Sequence, residues 1–87
     1  MDAHYDYISQ ENRYGLGVDT DSGKHFLAIP VTIGVADYNE YYEVTDVVFT
    51  HYLADPASAL DFAEECRLRE HDELLILKPG WNRGIPI

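Results

Sequence analysis

Leu27, Ile29, Val31, Ile33 and Val35 occupy every second position of one stretch, with Phe26, Ala28, Pro30, Thr32 and Gly34 on the other side. Five aliphatics in strict alternation predict a strand whose aliphatic side forms the core face of a sheet. Pro30 has no N–H to give a ladder, so the strand is expected to lie at an edge there, to bulge, or to turn that position to solvent. Upstream, Tyr14, Leu16 and Val18 alternate with Gly15, Gly17 and Asp19. This is a second period-two run, and its glycines leave one face bare for another backbone or side chain to lie against. Between the two runs, Asp19-Thr20-Asp21-Ser22-Gly23-Lys24 predicts a hairpin turn, with Gly23 the residue best able to take positive φ. Residues 1–12 read as a polar tail with strand character, in which Tyr5 and Tyr7 would share a face.

Downstream, residues 36–39 are expected to form a second turn and residues 41–52 a third strand. Its phase changes midway, because Tyr42 and Val44 share one parity and Val47 and Phe49 the other; a bulge near Thr45-Asp46 would repair it. Asp55-Pro56 marks a helix start, the aspartate able to accept first-turn N–H groups and proline losing nothing at the first helical position. The helix is expected over residues 56–70, with Ala59, Leu60, Phe62, Ala63 and Cys66 on an arc of about 160°. Leu68 falls on its polar side, as a frayed end or a contact residue. The run Glu73-Leu74-Leu75-Ile76-Leu77 predicts a short buried strand, closed by Lys78-Pro79-Gly80. Residues 81–87 have no period.

The predicted fold is thus α+β: a small antiparallel sheet of three to four strands in the order β-β-β-α-β, with one helix packed on one face. At 87 residues the chain supports one domain, 1–87, with residues 1–12 and 79–87 as extended tails.

Charge and cysteine narrow the function. Sixteen acidic residues against six Lys and Arg give a net charge of −10, which disfavours direct contact with a phosphate backbone. The charge is polarised: residues 1–66 carry thirteen acidic and two basic residues, residues 67–87 three acidic and four basic. Cys66 is the sole cysteine, so no internal disulfide framework exists. The opening residues lack a basic and apolar leader pattern, and no apolar run exceeds four residues. The expectation is a cytoplasmic protein without a membrane partner.

Candidate chemistry is thin. Asp19-Thr20-Asp21-Ser22-Gly23 resembles the start of a calcium loop, but Lys24 stands where glycine is needed and Pro30 where a bidentate glutamate is needed. His4, His25, His51 and His71 lack the close spacing of metal ligands, and only a fold that brought His25, His51 and Cys66 together would make a site. Cys66 on a core-facing helix side is a small hydrophobe in an acidic region, a poor nucleophile. The serines stand outside nucleophile contexts, and no glycine-rich strand-to-helix loop could cradle phosphate. No cofactor, metal or catalytic residue is assigned.

Two distributional features remain. Tyrosines alternate with carboxylates in the 37–43 segment, and Trp81, Ile85 and Ile87 in an unpatterned tail must bury on their own domain or on a neighbour. The leading expectation is a non-catalytic protein-binding module that self-associates as a homo-oligomer such as a dimer. Its contact residues are expected to be Tyr38, Glu40, Tyr41, Tyr42, Glu43, Leu68, Trp81, Ile85 and Ile87. The alternatives are an acidic inhibitor mimicking nucleic acid before a DNA- or RNA-binding protein, and a small enzyme or ligand-binding subunit using His25, His51 or a carboxylate between subunits.

Overall fold

The computed structural model describes residues 1–87. Strands β1 (Ala3–Ser9), β2 (Tyr14–Asp19), β3 (His25–Thr32) and β4 (Asp37–Val44) form an antiparallel meander in sequential order, and a two-residue β5 (Ile85–Pro86) pairs with β3. Helices α1 (Asp46–Ala54) and α2 (Leu60–Arg67), joined through a 3-10 turn at Pro56–Ala59, cover one face. The α+β class and antiparallel sheet agree with the sequence reading; the sheet has five strands and the cover two helices.

The core lies where period-two faces meet small residues. Leu16, Leu27, Ile29, Val31 and Tyr42 from the sheet have no exposed surface, nor do Ala59, Ala63 and Cys66 from the helical layer. Those small side chains let the helix axis approach closely, and the Tyr14 hydroxyl donates to the Pro56 carbonyl at 2.8 Å, tying β2 to that layer. The expected inward set is shortened at one end. β3 stops at Thr32, Ile33 N–H donates to the Ala36 carbonyl, and Gly34 takes φ 93°, so Ile33 and Val35 leave the sheet and are exposed. The turn therefore comes three residues earlier than expected, and Asp37 to Asn39 belong to β4.

Pro30 sits inside the sheet without loss. It pairs with Asn39 across β3–β4, and its other edge falls beyond the last β2 pair, Gly15 with Ala28. There only its carbonyl is used, accepting from Ile87 N–H at 3.2 Å.

Residues 46–52, expected as strand, are helix α1. The Thr45 side chain accepts from Val48 N–H and Asp46 sits in the first turn, so a cap replaces the expected bulge. Phe49 buries, Val48 and Tyr52 pack against the core, and Val47 stays exposed. The expected helix over residues 56–70 is 3-10 at its start and ends at Arg67; Asp55 gives its carbonyl, not its carboxylate, to Ser58. Leu68 is exposed and Arg69 takes φ 61°. The expected strand over 73–77 reduces to a bridge between Leu75 and Tyr42 after a 3-10 turn at Asp72–Leu74.

β1 corrects one further expectation. The register shifts between Tyr5 and Tyr7, which places Tyr5 opposite Gly17 and Tyr7 opposite Leu16, on different faces. Tyr5 then lies on the face that carries no helix. Its ring meets Phe26 edge-on at 5.4 Å, and Tyr41 does the same from the other side at 4.9 Å. The two hydroxyls meet at 3.3 Å above Phe26, which is fully buried beneath them. The bare glycine face is what admits this: a Cβ on Gly17 would come 2.8 Å from the Phe26 ring and 2.1 Å from the His4 carbonyl. The helix-free face thus has an aromatic core of its own.

Candidate functional site

Glu40 lies on the helix-covered side of β4, only 5% exposed, where a carboxylate needs partners. Arg83 supplies them. Its Nε and Nη2 donate to the two Glu40 oxygens at 2.7 and 3.1 Å, while Nη1 and Nη2 donate to Asp72 at 2.7 and 2.9 Å. One planar fork therefore holds two carboxylates. The Tyr42 hydroxyl adds a bond to Glu40 at 3.0 Å and approaches the Cys66 carbonyl at 3.3 Å. Burial, and next the Glu40 charge, push the Tyr42 phenol well above its ordinary value; the Arg83 hydrogen bonds hold the Asp72 carboxyl below its own.

This cluster fixes the C-terminal tail. Next to Arg83, Gly84 N–H donates to the Tyr38 hydroxyl at 2.7 Å, and Arg69 donates to the Gly84 carbonyl at 2.8 Å. A Cβ on Gly84 would stand 2.9 Å from the Thr32 carbonyl. Ile85 and Pro86 then pair with Thr32 and Val31. The tail leaves the β4 edge at Leu75, passes over the Tyr38 side of the hairpin and docks on the far edge of β3. Trp81 lies between the two anchors and is 98% exposed. Ile85 is 68% exposed and Val35, in the adjoining β3–β4 turn, 95%; Leu77, Ile33, Tyr38 and Ile87 are exposed as well.

The nine expected contact residues separate accordingly. A strand turns alternate side chains to opposite faces, so the 37–43 segment is not one surface. Tyr42 and Glu40 are buried and leave the set of surface contacts. Tyr41 roofs Phe26, and Glu43 is exposed near Lys24 at 3.8 Å. Leu68 is exposed at the end of α2. The structure brings Tyr38, Ile85 and Ile87 to one end of the sheet, with Trp81 on the adjoining loop. Sequence reasoning missed Ile33 and Val35, whose alternation read as core, and Arg83, whose partner is 43 residues away.

The other candidates have structural occupations. Burial pushes the Cys66 thiol up to about 12, so it is no thiolate near neutral pH. His25 lies 2.7 Å from Asp46 and packs on Phe49, whereas His51 is exposed on α1; the two do not meet across the sheet. Asp19 accepts from Asp2 N–H, Asp21 N–H and the Ser22 hydroxyl, which makes it the clasp of the β2–β3 turn and lowers its pKa.

His71 bonds Glu65 at 2.7 Å and stacks on Phe62, and that hydrogen bond raises its pKa. Two limbs of pH dependence follow. The raised His71 value gives stabilisation that is full below about 6.5 and lost as pH rises through the folded-state value. The lowered Asp72 value gives stabilisation present above about 3.8 and lost as pH falls through its folded-state value. The Tm is expected to be highest between the two, and Glu65→Gln is expected to flatten the limb on the alkaline side while sparing the acid limb.

No protein-family model matches the chain, and no curated protein or solved structure is similar enough to carry an argument about it.

Proposed function

We propose that this protein is a non-catalytic binding module that associates with a second copy of itself through the apolar end formed by Tyr38, Trp81, Ile85 and Ile87 with the Ile33–Val35 turn. The observation that carries the reading is Trp81, a large amphipathic side chain left almost wholly in water on a loop anchored at both ends. A contact residue on a loop tied down at both ends has less freedom to lose on binding than one on a free tail. Charge supports a second copy at this end. Residues 67–87 carry three acidic and four basic residues and residues 22–36 carry no acidic residue, so like-charge repulsion between two chains is weakest where these two stretches meet. The single buried thiol fits a reducing, cytoplasmic setting.

Sedimentation velocity tests this. The weight-average mass is expected to rise with concentration, and to rise further with salt as the acidic surfaces are screened. The double variant Trp81→Ala, Ile85→Ser is expected to stay monomeric with an unchanged Tm. A wild-type chain that stays monomeric throughout, while capturing a basic nucleic-acid-binding protein in a salt-sensitive way, would favour phosphate mimicry instead.

No helix is long and apolar enough to cross a membrane.

A further inference from the structure

Beside the aromatic roof, the helix-free face opens into a groove of about 470 Å³. Tyr5, Ile8, Arg13, Pro30 and Asn39 line it, with Gly15 and Ala28 recessed among them: a Cβ on Gly15 would stand 2.9 Å from the Tyr5 ring, and Ala28 is buried. Each side is held in place. Asn39 donates to the Tyr5 hydroxyl at 2.6 Å, and Tyr5 stays a neutral phenol because burial and the Tyr41 hydroxyl raise its pKa. The β1–β2 turn is clamped by Arg67, whose Nη2 donates to the carbonyls of Asn12 and Arg13, both at 2.6 Å. Arg13 itself takes φ 54°, a conformation unfavourable for a residue with a Cβ.

Arg13 is also the chain's one cation without a partner. Lys24 faces Glu43, Arg67 and Arg69 bond main-chain carbonyls, Lys78 reaches the carbonyls of Asp72 and Glu73, and Arg83 holds two carboxylates. A guanidinium that lines a groove and bonds no group of its own chain is free to hold an anionic ligand there.

We propose that this groove binds a small aromatic monocarboxylate, its flat body between Ile8 and Pro30 and its carboxylate on Arg13. The volume falls within the range of about 300–1,000 Å³ usual for small-molecule sites. A recess between an exposed aliphatic side chain, Ile8, and the Pro30 ring suits a flat body, and the Asn39 and Tyr5 polar groups suit its edge. One guanidinium matches one negative charge; a dianion would meet the acidic field of the rest of the molecule with its second charge uncompensated.

The probe is naphthalene-2-carboxylate, followed by amide chemical shifts of the full chain, with naphthalene-2-methanol as the uncharged control. Saturable shifts are expected at Gly15, Ala28 and Asn39 and in the 10–13 turn. Arg13→Gln is expected to weaken binding about tenfold while leaving the Tm unchanged, since the side chain has no partner to lose. The alcohol is expected to bind the wild type as weakly as the acid binds the variant. The inference is overturned if the shifts are absent or confined to the Trp81 end, if acid and alcohol bind alike, if Arg13→Gln binds like the wild type, or if that substitution lowers the Tm and so marks Arg13 as structural. The groove and the Trp81 end adjoin where Ile87 bonds Pro30 but share none of their contact side chains, so failure here leaves self-association standing.

Discussion

Arg83→Met is expected to lower unfolding stability by about 3–5 kcal/mol, because it strands the Glu40 carboxylate where water does not reach it. For a domain this size the whole stability is roughly 4–13 kcal/mol, so the variant stands near the edge of folding. The loss is measured by urea unfolding at neutral pH. Its cause is separable from its size. If the penalty is the unpaired charge, then adding Glu40→Leu is expected to recover most of it, since an apolar pair can replace a buried ion pair at little cost. The tail is the second readout. With Arg83 gone, the tail keeps only the Tyr38 and Arg69 bonds to Gly84 and the short β5 pairing, and the Ile87 amide, bonded to the Pro30 carbonyl, is expected to exchange faster. In the double variant stability returns and that amide stays fast, because Met and Leu restore burial but not the fork that orients the tail. Fast exchange in the single variant with no loss of stability would show Glu40 to be adequately hydrated without Arg83.

Phe26→Ala is expected to cost about 3–5 kcal/mol, as much as a deletion in the helix-covered core. Phe26 has no helix above it, only Tyr5 and Tyr41 edge-on and Gly17 beside its ring. Removing it leaves both tyrosines spanning a void. The Tyr5 hydroxyl, bonded to Tyr41 and Asn39, is then held by those polar contacts alone. Urea unfolding reads the loss, and the ring signals of Tyr5 and Tyr41 are expected to lose their aromatic shielding. A cost near that of an ordinary surface substitution would mean that the sheet has one structural face, not two.

These two residues show what was legible in the sequence. The alternations at 14–18 and 27–31 are short-range and periodic, and they marked β2, β3 and the core face correctly. Ala59, Ala63 and Cys66 at helical spacing marked the packing side of the 3-10 turn and α2, although Leu60, expected on the same arc, is exposed. The failures are of three physical kinds. Val47, Val48 and Thr50 are β-branched and suit a strand, yet Thr45 caps the segment and Phe49 and Tyr52 anchor it as helix; the Thr45-Asp46 pair was the available signal. Ile33 and Val35 continue a strand pattern past the strand, because Gly34 can reverse the chain whatever its neighbours prefer. Arg83 pairs with Glu40 over 43 residues of chain, and no local pattern records such a contact. Its one trace in the sequence is the position of an arginine next to a glycine in a tail with no period.

The candidate surface was half legible for the same reason. The tail residues Trp81, Ile85 and Ile87 and the strand residue Tyr38 were marked by their hydrophobicity alone. Glu40 and Tyr42 share a segment with Tyr38, but they lie further along β4, beneath the helical layer, and bind the tail's anchor instead of a partner.

Trp81 is the sole tryptophan of the chain, so its fluorescence reports on the proposed contact without interference. On dilution into the monomer its emission is expected to be that of an indole in water; as concentration rises it is expected to move to shorter wavelength and level off, in step with the mass measured by sedimentation. Emission that keeps its water-exposed maximum at every concentration would contradict the assignment of this end as the self-association surface.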